Sequence, residues 1–195
     1  MSEKFPTREE ALVLLKKYNK SESLLKHAYA VEGVMKYMAR KSGEDEEKWG
    51  VIGLIHDLDY EMFPDQHCKM TEKILEENGW PAEYIRAVLS HGWGLASDVE
   101  PVTKLEKTIF AIDELTGLVT TSALVRPTKS VLDMEAKSVK KKWNDKRFAA
   151  GVNREVIEKG ASMLGVPLDD LIMDCIMGMR EVAEEIGLVG TPVTK

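Results

Sequence analysis

Apolar residues recur at intervals of three and four along nearly the whole chain, while runs of strict apolar–polar alternation are almost absent, so the pattern predicts an all-α protein. Pro6 followed by Thr7, with Glu10 three positions on, reads as a capping box opening a first helix that runs through Leu15. A second helix over 21–40 carries Leu24, His27, Val31, Val34 and Met38 on one stripe and stops at Gly43. A third over 46–57 sets Trp49, Ile52 and His56 on one face, with Asp57 about 100° further round. Phe63-Pro64-Asp65 breaks the chain, and the helix expected after it aligns His67, Met70 and Ile74 before Gly79. Pro81 starts another with Tyr84, Val88 and His91 on its inner face, and Gly92-Trp93-Gly94 turns the chain directly afterwards.

Beyond Pro101 a long helix repeats Val102, Leu105, Ile109, Ile112 and Leu115, with Asp113 inside the apolar pattern. Asn153 caps a helix to Leu164 that Gly165 closes, and Pro167 begins an amphipathic helix burying Leu171, Cys175, Met179, Val182 and Ile186. Its methionines, Met173, Met177 and Met179, suit a core or a homodimer contact through this C-terminal helix. Residues 191–195 are expected to fray.

This pattern turns all four histidines inward, on four different helices. His56 and Asp57 stand together at the end of the apolar run Val51-Ile52-Gly53-Leu54-Ile55, where a carboxylate without a partner is costly. A divalent cation would neutralise Asp57 and accept the imidazole of His56, with the remaining ligands drawn from other helices. A single histidine on an apolar stripe is by itself commonly a hydrogen-bonded core residue, so the shared arrangement of all four carries the reading.

At 195 residues the chain can bury a core without disulfides or structural metal, so one domain over 1–190 is expected, and a bound metal is expected to serve function. A net charge of −6 argues against a general nucleic-acid binder, and no duplex partner is expected. The N-terminus lacks an apolar signal core and no apolar run approaches the roughly 18 residues of a membrane span, which predicts a cytoplasmic protein without a membrane partner. Cys68 and Cys175 read as reduced packing thiols, although Cys68 follows His67 and could touch a metal site. Residues 126–154 hold nine Lys/Arg against three Asp/Glu, a local +6 that could bind phosphate. Within it Lys140-Lys141-Lys142 reads as a solvated face, and the isolated Arg126, Lys129 and Arg154 are the candidate substrate contacts.

His27, then His56-Asp57, then Asp113 on successive helices, with the neighbouring stretches Gly53-Leu54-Ile55 and Ala111-Ile112-Asp113-Glu114-Leu115, resembles the HD-domain superfamily of metal-dependent phosphohydrolases. The resemblance spans about residues 21–125, leaving a helical C-terminal part over 126–190. It implies an HD-like helical bundle around one or two divalent transition ions (Mn, Fe, Ni, Co or Zn) and hydrolysis of a small phosphorylated metabolite or nucleotide by a metal-activated water. His67 and His91 extend the similarity to the two-metal branches, which include di-iron oxygenases. There Asp57 would bridge His27, His56 and Asp113 on one ion and His67 and His91 on the other. The residues themselves leave open a mononuclear site, with His67 and His91 serving substrate phosphate or the core. Where many relatives continue with a small residue and a lysine, this chain has Leu58-Asp59-Tyr60-Glu61, which nominates Asp59 or Glu61, beside Asp57, for the catalytic proton chemistry. The Gly-Tyr-Pro extension of the cyclic-dinucleotide phosphodiesterases is missing. A non-catalytic metal-bound regulatory module is the third reading.

Overall fold

In the computed structural model, which describes residues 5–191, the chain folds into nine α-helices and one 3₁₀ turn, with an isolated bridge between Trp93 and Ser97 as the sole β-type pairing among the described residues. The expected all-α architecture is therefore what forms. Helix α1 (Arg8–Tyr18) opens with the capping box: the Thr7 hydroxyl accepts from the Glu10 amide at 3.2 Å, and the Glu10 carboxylate accepts from the Thr7 amide at 2.9 Å. Helix α2 (Glu22–Ser42) ends at Gly43, whose left-handed φ of 69° lets its amide reach back to the carbonyls of Ala39 and Arg40. Helix α3 (Glu46–Ile55) is buried on all sides from Trp49 to Ile55, as its near-continuous apolar run requires.

After a 3₁₀ turn at Pro64–Gln66 come α4 (Lys69–Glu77), α5 (Ala82–Ser90) and α6 (Lys104–Leu124), the last opened by a second capping box between Thr103 and Glu106. The short α7 (Ala136–Lys140) interrupts the basic region, and α8 (Arg154–Leu164) and α9 (Leu168–Glu181) complete the fold. Helix α2 is the axis, packed against α3, α6 and α9, while α8 lies along α6. Its approach to α3 is close because position 53 has no side chain: a Cβ there would sit 2.9 Å from Met35 Cγ and 3.1 Å from the Val31 carbonyl oxygen. A single buried apolar cluster runs from Ala11 in α1 to Leu188 beyond α9.

Sequence expectations change at His67 and at Val102. His67 precedes α4 instead of riding on it, because Cys68 leaves the helical region with φ 67°. Val102 lies outside α6, ahead of its Thr103 cap, and is exposed. The methionines of α9 take the core alternative: Met179 is buried, Met173 packs on the core, and the Met177 sulfur accepts from Arg180. Thr191 donates its amide to the Thr128 carbonyl at 3.0 Å, and the rest of the tail expected to fray lies outside the described residues. No helix among the described residues is long and apolar enough to cross a membrane.

Candidate metal centre

His27 projects from the first turns of α2, His56 caps the C-terminus of α3, Asp57 begins the turn that follows, and Asp113 comes from the middle of α6. Their ligating atoms converge. His27 Nε2 lies 3.0 Å from Asp113 Oδ1 and 3.2 Å from His56 Nε2, and His56 Nε2 lies 3.3 Å from both Asp57 Oδ2 and Asp113 Oδ1. A second group stands on the other side of Asp57: His67 Nε2 is 3.1 Å from His91 Nε2, and the two lie 3.4 and 3.5 Å from Asp57 Oδ1. Each Asp57 oxygen thus faces a different group. Donor atoms about 2.0–2.1 Å from a common ion are separated by roughly 3.0–3.4 Å in octahedral or tetrahedral shells, which is the spacing found here.

The far side of each imidazole fixes its tautomer. His56 Nδ1 faces the Gly53 carbonyl at 2.8 Å, His91 Nδ1 the Val88 carbonyl at 2.6 Å, and His67 Nδ1 the Asp59 carboxylate at 2.7 Å. These partners only accept, so each Nδ1 donates, and the neutral ring presents a lone pair at Nε2. His27 Nδ1 is 3.4 Å from the Thr116 hydroxyl, which itself donates to the Asp113 carbonyl at 2.7 Å and so has a lone pair to accept with. Lone pairs therefore meet lone pairs and carboxylates at the centre. Such a donor set calls for a cation, and the orienting bonds behind it are those that metal-binding histidines use.

Without an ion, protons substitute. Burial disfavours a charge on His56, but the adjacent carboxylates of Asp57 and Asp113 outweigh it and hold the imidazolium well above the ordinary range. Burial likewise opposes charge on His67, yet the Asp59 carboxylate prevails and pushes it up to about 10. Asp57 and Asp113 are held well below the carboxylate range, burial being overcome by the surrounding imidazoles. Glu114, on the cleft side of α6, is shifted up by burial while its carboxylate accepts from the Asn153 amide at 3.0 Å. Asp57 and Asp113 keep 18% and 19% of their side-chain surface open, so the centre meets solvent through a cleft. That cleft, about 300 Å³, is walled by Tyr60, Leu95, Ala96, Val152 and Val156.

All six candidate ligands are brought together. The other candidates have different partners. Asp59 is fully buried, and its second oxygen accepts from the Thr71 amide at 2.8 Å, so its carboxylate is committed to orienting His67 and is not free to handle substrate protons. Glu61 accepts from the amides of Lys20 and Ser21 at 2.7 and 2.9 Å, tying down the start of α2. Arg126 binds Asp133 at 2.7 Å and Ser138 at 3.1 Å; Arg154 donates to the Phe148 carbonyl at 2.6 Å; Lys129 is exposed at a left-handed φ of 48°. Among the described residues no lysine or arginine lines the cleft. Sequence reasoning missed Thr116, Glu114 and the wall at Val152 and Val156, whose approach to the centre depends on how α8 lies along α6.

An HD-domain family model matches residues 24–118, and no curated protein or solved structure matches the chain. HD domains are largely metal-dependent hydrolases, and the matched segment contains all six candidate ligands. With that ligand order set out on helices that converge as described, residues 24–118 match an HD domain and carry a His/Asp cluster consistent with the HD superfamily.

Proposed function

We propose that the protein hydrolyses a small phosphorylated metabolite at a centre of two divalent transition ions. The observation that carries this reading is Asp57, whose two oxygens face two separate sets of Nε2 lone pairs. His27, His56, Asp57 and Asp113 would hold one ion, and His67, His91 and Asp57 the other. When bound, such ions polarise phosphoryl oxygens and bring the pKa of a coordinated water towards neutrality.

The chain's own residues supply the remainder. Gly53, Val88, Asp59 and Thr116 hold the four rings in register. Leu95, Ala96, Val152 and Val156 make much of the cleft wall apolar, and the volume of about 300 Å³ is at the small end of ligand pockets, which favours a compact substrate over a large nucleotide. Among the described residues Glu114 is the one cleft-lining carboxylate outside the two ligand groups, and its position nominates it to hand a proton to the leaving group.

The test is release of inorganic phosphate from a panel of small phosphomonoesters and nucleotides by protein loaded in turn with Mn, Fe, Co, Ni and Zn. Metal-dependent release is expected, and Asp57→Ala should abolish both release and metal content while far-UV circular dichroism stays helical. Turnover retained in Asp57→Ala, or no release by doubly loaded protein across the panel, would reject the proposal. A di-iron oxygenase is the second reading, favoured by the lack, among the described residues, of any lysine or arginine along the cleft to receive a phosphate. Substrate-dependent oxygen consumption by the iron-loaded protein would support it.

A further inference from the structure

His67 and His91 do not stand alone on their side of Asp57. Cys68 is 2% exposed, and its sulfur and one ring nitrogen each of His67 and His91 all lie within 4.8 Å of one another. The backbone at Cys68 is held at φ 67°, ψ −43°, a region a side-chain-bearing residue seldom adopts and that costs about 1–3 kcal/mol. The facing residue makes room: a Cβ on Gly92 would come 2.7 Å from Cys68 Sγ. Cys175, the other thiol, packs inside α9 with its sulfur 4.0 Å from that of Met179 and belongs to neither ligand group.

We propose that Cys68 is a thiolate ligand of the second ion, making that site His67, His91, Cys68 and Asp57 against His27, His56, Asp57 and Asp113 for the first. This rests on the two-ion reading above and deepens it. One ion would then have a nitrogen and oxygen shell and its neighbour a shell containing sulfur, so the pair is chemically unequal. Thiolate ligation favours zinc, cobalt and ferrous iron over manganese and magnesium at the second position. On binding, the Cys68 S–H proton passes to solvent and the sulfur lone pair goes to the ion.

Cobalt(II) reports this without any turnover assay, because a thiolate bound to it gives an intense near-ultraviolet charge-transfer band that nitrogen and oxygen ligands do not. Wild-type protein titrated with cobalt should bind two ions per chain and develop the band with the sulfur-bearing site. Cys175→Ser should keep it. Cys68→Ser should lose it and bind the second ion at least about tenfold more weakly, with the first ion unaffected. Two cobalt ions per chain without the band in the wild type would overturn the thiolate ligand and leave the two-ion reading standing. One cobalt per chain without the band would overturn both. The wild-type spectrum decides the matter even if Cys68→Ser fails to fold.

Discussion

Asp59→Asn separates an orienting residue from a proton-transferring one. In the native protein both carboxylate oxygens accept, from His67 Nδ1 at 2.7 Å and from the Thr71 amide at 2.8 Å. Asparagine has a single acceptor oxygen. If it stays with the Thr71 amide, its NH₂ faces His67, which must accept at Nδ1 and carry its proton on Nε2, the atom 3.1 Å from His91 Nε2 and 3.4 Å from Asp57 Oδ1. If the amide flips, two donors face each other in a buried site at a cost of about 1–3 kcal/mol. Either way the second site is impaired. Loss of such an orienting bond weakens metal binding about 10–100-fold, equivalent to roughly 1.4–2.8 kcal/mol. Competition titration with a chromophoric chelator, alongside elemental analysis, should show this loss for the second ion and none for the first. In a His67→Ala background the substitution should weaken the second site no further, since the two act as a unit. Unchanged second-ion affinity combined with a large fall in kcat would refute the orienting role and restore Asp59 as a catalytic acid or base.

Glu61→Ala should release the amides of Lys20 and Ser21 and lower the midpoint of thermal unfolding, with both ions still bound. Arg126→Ala removes a half-exposed ion pair to Asp133, so KM and metal content should stay as in the wild type and stability should change by less than about 1 kcal/mol; a several-fold rise in KM would mean that Arg126 reaches substrate. The pH dependence has a definite sign. In metal-free protein His67 is raised from 6.5 to about 10, so the stability it contributes is complete below 6.5 and is lost as pH rises towards 10. Metal must displace that proton, so second-ion affinity should rise over the same interval; chemical denaturation of the chelated protein and metal titration at several pH values should move in opposite directions.

Helical periodicity made much of this centre legible. His27 and Asp113 sit on stripes whose inner faces are fixed by Val31, Val34, Ile109 and Ile112, and His56 ends a run that can only be buried, so their convergence follows from packing each apolar stripe inward. His67 was harder to read, because its ring is aimed by a backbone excursion at Cys68 that no periodic pattern encodes. The role of Asp59 was illegible for a related reason: its partner is eight residues away across a turn, and a carboxylate next to a metal motif looks the same whether it faces substrate or a ligand's far nitrogen. The basic stretch misled in another way. Counting charges located an excess but not its direction, and Arg126 and Arg154 spend their guanidinium groups on Asp133 and on loop carbonyls.

The wall at Gly151, Val152 and Val156 lies outside the segment that matches the family, yet it closes the cleft over ligands that all lie within it. Part of the cleft wall is therefore written in a different length of chain from the ligands, while Tyr60, Leu95 and Ala96 lie in the same one. Exchange of the loop before α8 and of the first turn of that helix would reshape that part of the wall without replacing any of the six candidate ligands. The same separation offers an engineer a place to work: a bulkier or a polar residue at Val156 would alter what fits while leaving the reactive centre intact.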